Sequence, residues 1–489
     1  MEYETVIGLE VHVQLQTQSK MFCSCRADYQ SAPVNSRVCP VCLGLPGALP
    51  VINRRAVEYT IMTGLALNCC IPQLTKFDRK NYPYPDLMKG YQISQYDLPI
   101  AVDGHLDIEC DGGPKSVGVR RVHLEEDVAK MQHFPADGGG YSLVDVNRSG
   151  VPLMEVVSEP DMRSAEEARA YLMNLHSMLQ YLGVTTGNMQ DGSFRCDANI
   201  SIRPKGSDEF GTRTEIKNMN SLRSVFQALN FEAERQRRVV EAGDRVVQET
   251  RGWVEERAVT VSQRSKEEAH DYRYFPEPDL PPLDIAPDWV EEIRTLLPEL
   301  APQRCARYRE DYGLSEYDAR LLTSTKAMAD YFERAVALRP ASEAFAKQAS
   351  NWMLGDLSGL LNQENRDIAD SPVSPEHLVE LIGLVDNGAI STTMAKTVLE
   401  EAYASGDSPS RIVEQRGYTQ ISDTSSVEPS VIEALDANPR AVADYLSGKE
   451  SAAKFLVGQV MKLTRGQAKP ELANQLVTDA LERRRDEAP

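Results

Sequence analysis

From residue 194 to 203 the chain alternates without a fault. Phe194, Cys196, Ala198, Ile200 and Ile202 point one way; Arg195, Asp197, Asn199, Ser201 and Arg203 point the other. Successive side chains leave a strand on opposite sides, so this pattern predicts a strand with one buried face and excludes a helix. Residues 5–15 repeat it. Thr5, Ile7, Leu9, Val11, Val13 and Leu15 share one face, and Glu10, His12 and Gln14 the other. Residues 119–130 set Val122, Leu124 and Val128 against His123, Glu125 and Asp127, and Glu215 and Lys217 share a fourth polar face. The first ~275 residues are therefore expected to form a largely antiparallel sheet with one or two helices. The clearest helix start there is Ser164-Ala165-Glu166-Glu167, a capping box ahead of Ala168, Leu172, Leu175, Leu179 and Leu182. Residues 222–242 predict a second helix, stopped by Gly243.

The alternation ends at Pro276-Glu277-Pro278-Asp279-Leu280-Pro281-Pro282, which can continue neither a helix nor an inner strand and is expected to close the first domain. Beyond it the period is helical. Ser374-Pro375 marks a helix start with Leu378, Leu381, Ile382 and Val385 as its stripe. After a break near residues 405–410, short helices are expected, separated by Asn438-Pro439, Ser447-Gly448 and Lys469-Pro470. At 489 residues the chain should hold about three domains. No apolar run approaches the ~18 residues of a membrane span, and no export signal is apparent at Met1-Glu2-Tyr3-Glu4-Thr5, so a cytoplasmic protein is expected.

Four of the nine cysteines lie close together: Cys23-Ser24-Cys25 and Cys39-Pro40-Val41-Cys42-Leu43-Gly44. Proline fixes a turn and Gly44 lets the backbone fold back toward sulfur. Four thiolates at this spacing predict a closed, structural Zn²⁺ site at residues 23–42. Cys69, Cys70, Cys110, Cys196 and Cys305 read as ordinary core residues.

An antiparallel sheet commonly has a wet polar face. Four faces made of carboxylates, imidazole and amide, with few Thr, Ser or Lys fillers, suit Mg²⁺ equally well, since it takes hard oxygen ligands and keeps waters for phosphate. Lys80, Arg195, Arg203 and Lys217 are the bases nearby that could meet phosphate oxygens. The chain has no G-x-x-x-x-G-K-[ST] loop, no H-E-x-x-H and no G-x-S-x-G. A nucleotide here would be held by metal and side chains, as in sheet-based ATP sites of the glutamine-synthetase kind. Residues 81–96 are dense in Tyr, Pro, Asn and Gln, a composition that suits a loop lining a site and plain structural packing equally. The net charge of −20 argues against non-specific coating of nucleic acid, but residues 454–470 carry Lys454, Lys462, Arg465 and Lys469 and no acid.

Several stretches together resemble one family closely. They are Gly8-Leu9-Glu10-Val11-His12, Phe77-Asp78-Arg79-Lys80-Asn81-Tyr82, Tyr91-Gln92-Ile93-Ser94-Gln95, and Asp145-Val146-Asn147-Arg148-Ser149-Gly150-Val151-Pro152-Leu153. Further on come Val157-Ser158-Glu159-Pro160-Asp161, Arg195-Cys196-Asp197-Ala198-Asn199, Glu215-Ile216-Lys217-Asn218, and the run from Asp271-Tyr272-Arg273 to Pro278-Asp279. Phe455-Leu456-Val457-Gly458-Gln459 with Lys462 completes the set. The chain resembles, over nearly its whole length, the B subunits (GatB) of the tRNA-dependent aspartyl/glutamyl amidotransferases, and its cysteines place it with their zinc-containing members.

The resemblance implies an α+β protein. A glutamine-synthetase-like cradle carrying the ATP-dependent kinase would span 1–292, a helical domain 293–407, and a YqeY-like helical tail that contacts tRNA 408–489. It implies phosphorylation of the side-chain carboxylate of Glu-tRNA(Gln) or Asp-tRNA(Asn), then displacement of phosphate by ammonia. The ammonia would come through a tunnel from an amidase partner (GatA), with a small third protein (GatC) holding the pair together. ATP and Mg²⁺ are the expected cofactors beside Zn²⁺. Glu10, His12, Glu125 and Glu215 are the expected Mg²⁺ ligands, and Lys80 is expected to act with Glu10, His12 and Glu125 in catalysis. Lys80, Arg195, Asp197, Asn199, Arg203 and Lys217 are expected to meet ATP or the acyl phosphate, and Lys454, Lys462, Arg465 and Lys469 to meet tRNA. The competing readings are a free-standing ammonia ligase and a non-catalytic tRNA-binding scaffold; the basic tail disfavours the first and the acidic strand faces the second.

Overall fold

The computed structural model describes every residue except 1, 111, 136–139, 266–271, 341, 419–423, 465–466 and 487–489. It contains two compact units, Met1–Leu300 and Ala301–Pro489.

The first unit is built on β1 (Tyr3–Gln14), α1 (Arg54–Ala66), β2 (Leu74–Thr75), β3 (Asp78–Asn81), β4 (Tyr91–Ser94), β5 (Ala101–Cys110) and β6 (Gly113–Glu126). There follow β7 (Lys130–Phe134), β8 (Tyr141–Asp145), β9 (Pro152–Ser158), α2 (Ala165–Tyr181), β10 (Phe194–Pro204), β11 (Thr214–Met219) and α3 (Leu222–Glu241). The unit closes with β12 (Glu249–Val254), β13 (Val259–Ser265), β14 (Phe275–Pro276), β15 (Leu283–Asp284) and α4 (Pro287–Thr295). Eight strands make the main sheet, in the order β13-β12-β11-β10-β1-β9-β6-β5. It is antiparallel except between β11 and β12. β14, β3 and β4 form a small separate sheet.

The alternation produces the layering. Ile7, Leu9, Val11, Val13, Val122, Leu124, Met154, Val156, Cys196, Ala198 and Ile200 are buried in one core with Leu172, Leu175 and Leu179 of α2 and Val225 and Leu229 of α3. Helices thus take the apolar face, and the polar face is left for a site. At α2, half of the expected capping box forms. The Ser164 hydroxyl accepts from the Glu167 N–H, but the Glu167 carboxylate reaches the N–H of Arg163 instead of that of Ser164.

Two sequence expectations need correction. Residues 119–130 are not one strand. β6 ends at Glu126, because the Asp127 N–H bonds to the Val151 carbonyl and its carboxylate accepts from the Val128 N–H, which turns the chain into β7. Cys70 is exposed, and Cys110 and Cys305 only half-buried; Cys69 and Cys196 lie in the core. The proline-rich segment lies inside the first unit. After it β15 pairs with β2, and Leu280, Ile285 and Ile293 join the first core.

The second unit is helical throughout: α5 (Ala301–Tyr312), α6 (Glu316–Leu322), α7 (Lys326–Ala337), α8 (Glu343–Trp352), α9 (Ser358–Gln363), α10 (Pro375–Asp386), α11 (Thr392–Ser405) and α12 (Pro409–Arg416). α13 (Thr424–Ala437), α14 (Pro439–Leu446), α15 (Ser451–Leu463) and α16 (Pro470–Asp486) follow. One core runs from Tyr308 to Ile412 and a separate one from Val427 to Leu481. Ser374 caps α10 with Pro375 in its first turn, and Gly406 ends α11 at positive φ. No helix among the described residues is long and apolar enough to cross a membrane.

Candidate functional site

The strand register turns the polar faces into one surface. Reading across the sheet, Arg195 of β10 lies opposite His12 of β1, His12 opposite Glu155 of β9, and Glu155 opposite His123 of β6. In the next tier Asp197 faces Glu10, and on the other side Gln14, Leu153 and Glu125 line up. Over this surface sits a cavity of about 610 Å³. Its far wall is not part of the main sheet. Lys80 of β3, Gln92 and Ser94 of β4, and Tyr82, Tyr272 and Tyr274 supply it.

At the centre, His12, Glu125 and Glu155 offer one ligand atom each, all within 4.8 Å of one another. The Nε2 of His12 stands 3.4 Å from Glu155 and 3.8 Å from Glu125, and His123 Nε2 is 3.2 Å from Glu155. Burial alone would push His12 down; the charges of Glu155 and Glu125 outweigh it and raise its pKa to about 9. Burial likewise opposes ionisation of Glu155, but the two histidines hold it well below the ordinary carboxylate range. Glu10 is pushed the other way, first by burial and then by Glu155, Asp197 and Glu215. The surface is crowded with carboxylates, oxygen ligands of the kind a divalent cation takes. The Ser94 hydroxyl donates to Glu125 at 3.2 Å and orients it.

Of the expected site residues, the structure gathers Glu10, His12, Lys80, Glu125, Arg195, Asp197, Asn199, Glu215 and Lys217 in this one cavity. Their situations differ. Asn199 donates to Glu10 at 2.9 Å, and Thr250 donates to Glu215 at 2.7 Å. Lys217 is tied to Asp197 and to Glu215, and Arg195 to Asp127, so these two cations are already neutralised. The Lys80 side chain makes no hydrogen bond or ion pair with the described residues. Its ammonium rests over Tyr272 at 5.0 Å and Tyr82 at 5.7 Å. Burial would lower its pKa, but Glu125 and the tyrosines hold it above the usual lysine value. Arg203 does not line the cavity. Further along β10, it donates to Glu4 at 2.6 Å.

Sequence reasoning missed Glu155, along with Arg121, Tyr272, Tyr274 and Arg213. A signal for Glu155 existed. It is a lone acid in the apolar run 151–157 of a central strand, and a buried charge there needs partners.

The cysteines form a second group in the same unit. Cys23, Cys25, Cys39 and Cys42 bring their sulfurs within 4.8 Å of one another, and none is in a disulfide. The Sγ atoms of Cys39 and Cys42 are 3.8 Å apart. Ligands ~2.3 Å from a tetrahedral zinc stand ~3.8 Å apart, so the donor set fits the ion. The Cys39 N–H points at Cys42 Sγ at 3.0 Å. The Cys23 thiol, with help from that N–H and from Lys20, holds Cys42 down to about 5. Gly44 sits at φ +65°, and a Cβ there would come within 2.7 Å of the Lys89 side chain, so any side chain at this turn is strained.

Of the basic tail residues, Lys454 and Lys462 lie exposed on α15 and Lys469 is exposed just before α16; Arg465 lies outside the described residues.

Comparison with known proteins gives a single family. Residues 5–291 match the family described as the GatB/GatE catalytic domain, and residues 330–481 the GatB domain. The chain is 55% identical over 488 residues to the B subunit of the aspartyl/glutamyl-tRNA(Asn/Gln) amidotransferase of Dehalococcoides mccartyi strain 195, covering 98% of this chain and 99% of the relative. It is 55% identical over 481 residues to the protein of that name from Moorella thermoacetica (98% and 100% covered), and 54% over 482 residues to that of Thermomicrobium roseum (99% and 99%).

Proposed function

The chain belongs to the GatB family of amidotransferase subunits, and from that premise we propose that its sheet cavity is where a tRNA-borne carboxylate is activated by ATP and amidated. As a member of that family it works in a multi-subunit ligase that forms a C–N bond on aminoacyl-tRNA with glutamine as amide donor. The observation that carries the assignment of the site is the cross-strand set His12–Glu155–His123 with Glu125 beside it.

A side-chain carboxylate resists ammonia because its charge repels the nucleophile and oxide is a poor leaving group. In this reading, one carboxylate oxygen of Glu-tRNA(Gln) or Asp-tRNA(Asn) attacks the γ-phosphorus of ATP and the bond to ADP breaks. Ammonia then attacks the acyl carbon, and phosphate leaves. A divalent ion such as Mg²⁺ neutralises the phosphate oxygens and favours in-line transfer. His12, Glu125 and Glu155 would hold it. Glu10 and Glu215, kept in place by Asn199 and Thr250, would face its outer side. Lys80, with no other partner to satisfy, offers its ammonium to the transferred group's oxygens. Arg195 and Lys217 keep Asp127 and Asp197 in position.

Zn²⁺ at Cys23, Cys25, Cys39 and Cys42 would be structural, since four thiolates leave no open position. We read 1–292 as the catalytic domain, 293–407 as a helical domain, and 408–489 as a tail whose Lys454, Lys462, Arg465 and Lys469 meet tRNA phosphates. An amidase and a small third protein are the proposed partners. The deciding experiment uses the intact complex with Glu125→Gln. ATP-dependent formation of amidated aminoacyl-tRNA should vanish while glutamine hydrolysis persists; near wild-type amidation would refute the site.

A further inference from the structure

Lys20 lies in the connection between β1 and α1, three residues ahead of Cys23, and is fully buried. A buried ammonium is costly unless opposite charge stands beside it. The Lys20 side chain makes no ion pair with the described residues; its Nζ donates to two neutral carbonyls, that of Arg37 at 2.7 Å and that of Val146 at 3.5 Å. Of the three N–H donors of an ammonium one is left over, and so is the whole charge. The acids of the adjoining chain are committed elsewhere. Asp28, the sole acid in residues 20–50, is paired with Arg26 and Arg37. Asp145, next to Val146, accepts from the N–H groups of Asn35 and Asn147.

What does stand beside Lys20 is the cysteine group. The Lys20 N–H donates to the Cys25 carbonyl at 2.9 Å. Arg37, whose carbonyl the ammonium holds, is two residues ahead of Cys39. A Cβ at Gly150 would meet Lys20 Cδ at 3.5 Å and Cys42 Cβ at 3.8 Å, so the lysine stem and that cysteine border the same glycine. The Cys42 thiol is held down first by Cys23 and also by the charge of Lys20. When a zinc ion binds four cysteines, thiol protons leave, and four thiolates around a dication carry two negative charges in excess. A cation packed against them favours the loaded site over the empty one.

We propose that Lys20 is the buried counter-cation of the metal centre at Cys23, Cys25, Cys39 and Cys42, and that its charge, beyond its hydrogen bonds, sets how tightly the ion is held. The inference rests on reading those cysteines as a Zn²⁺ site. It has a sign that simple packing lacks. With the ion bound, the ammonium and the thiolates offset one another; without it, Lys20 is an unanswered buried charge and a burden on the fold.

The test uses the full-length chain with Lys20→Met, which keeps the length of the side chain and removes its charge, and Lys20→Gln, which also keeps a hydrogen-bond donor. Zinc content by metal analysis and zinc affinity by competition with a chelator are measured under reducing conditions. Both variants should bind zinc about tenfold more weakly than the unaltered chain, the scale of losing an outer partner of a metal ligand. Lys20→Gln decides this alone if Lys20→Met does not fold. With zinc present Lys20→Met should have the lower Tm; after the metal is stripped its Tm should equal or exceed that of the unaltered chain. Undiminished affinity in Lys20→Gln would overturn the proposal and leave Lys20 a hydrogen-bonding strut to Arg37. An equal drop in Tm with and without zinc would overturn it as well, as the mark of packing alone. An unaltered chain that carries no zinc would overturn the zinc reading and this proposal with it, and the metal analysis tells that failure from one confined to Lys20.

Discussion

Among its described residues the first unit holds two groups of side chains able to bind metal, and they are assembled in opposite ways. The cysteine group comes from residues 23–42, two short turns of one stretch of chain. The His12, Glu125 and Glu155 group comes from three strands more than a hundred residues apart at the extremes, joined by sheet register. The first is closed by its own four ligands; the second offers three and faces a large cavity. A local turn can be built for stability alone. A site that must admit substrate is better carried on rigid strands whose loops and second sheet are free to shape the opening.

Glu155 separates the two groups most sharply. Glu155→Ala removes the residue that both histidines meet, and the rate of ATP-dependent amidation should fall on the order of 10³-fold, with glutamine hydrolysis in the complex retained. Near-normal amidation would mean that the cross-strand group is only a buried ion-pair network. Cys42→Ser should act quite differently. It should lose bound zinc, counted by metal analysis under reducing conditions, and lower Tm by roughly 5–10 °C, while the chemistry at temperatures where the protein stays folded changes little. A catalytic collapse without loss of zinc would erase the distinction between the groups.

The tail serves as a control for both, since it should affect substrate holding alone. Replacing Lys454, Lys462 and Lys469 together by Ala should raise KM for aminoacyl-tRNA and flatten its salt dependence by ~0.7–0.9 per lost phosphate contact, with zinc content and Tm unchanged. An identical salt slope would mark these lysines as a solvated helix face. The smallest effect is expected from Ser94→Ala. Losing the hydroxyl that orients Glu125 costs about 1 kcal/mol, read as roughly fivefold in the amidation rate with no change in bound zinc.

Much of this was legible in the residues, for a physical reason: what is local in the fold is local in the chain. Period-two alternation in 5–15 and 194–203 identifies strands and says which side chains share a face. Ser164 and Ser374 mark helix starts because a side-chain oxygen satisfies an N–H three residues on. Cys23, Cys25, Cys39 and Cys42 could be grouped by spacing because the turns that unite them lie between them. The neighbours of a strand residue are another matter. Parity along β10 treats Arg195 and Arg203 alike, yet the structure puts Arg195 in the cavity and Arg203 against Glu4, beyond its reach. Parity is silent on Glu155, alone among apolar residues, until β9 is inserted between β1 and β6 and sets that carboxylate between two histidines. Lys80 belongs to a different sheet altogether and reaches the site only through its packing over the polar face. Which side of a strand a residue occupies is decided by its own sequence; which residue stands across from it is decided by register and strand order, and these are settled only when the whole core packs.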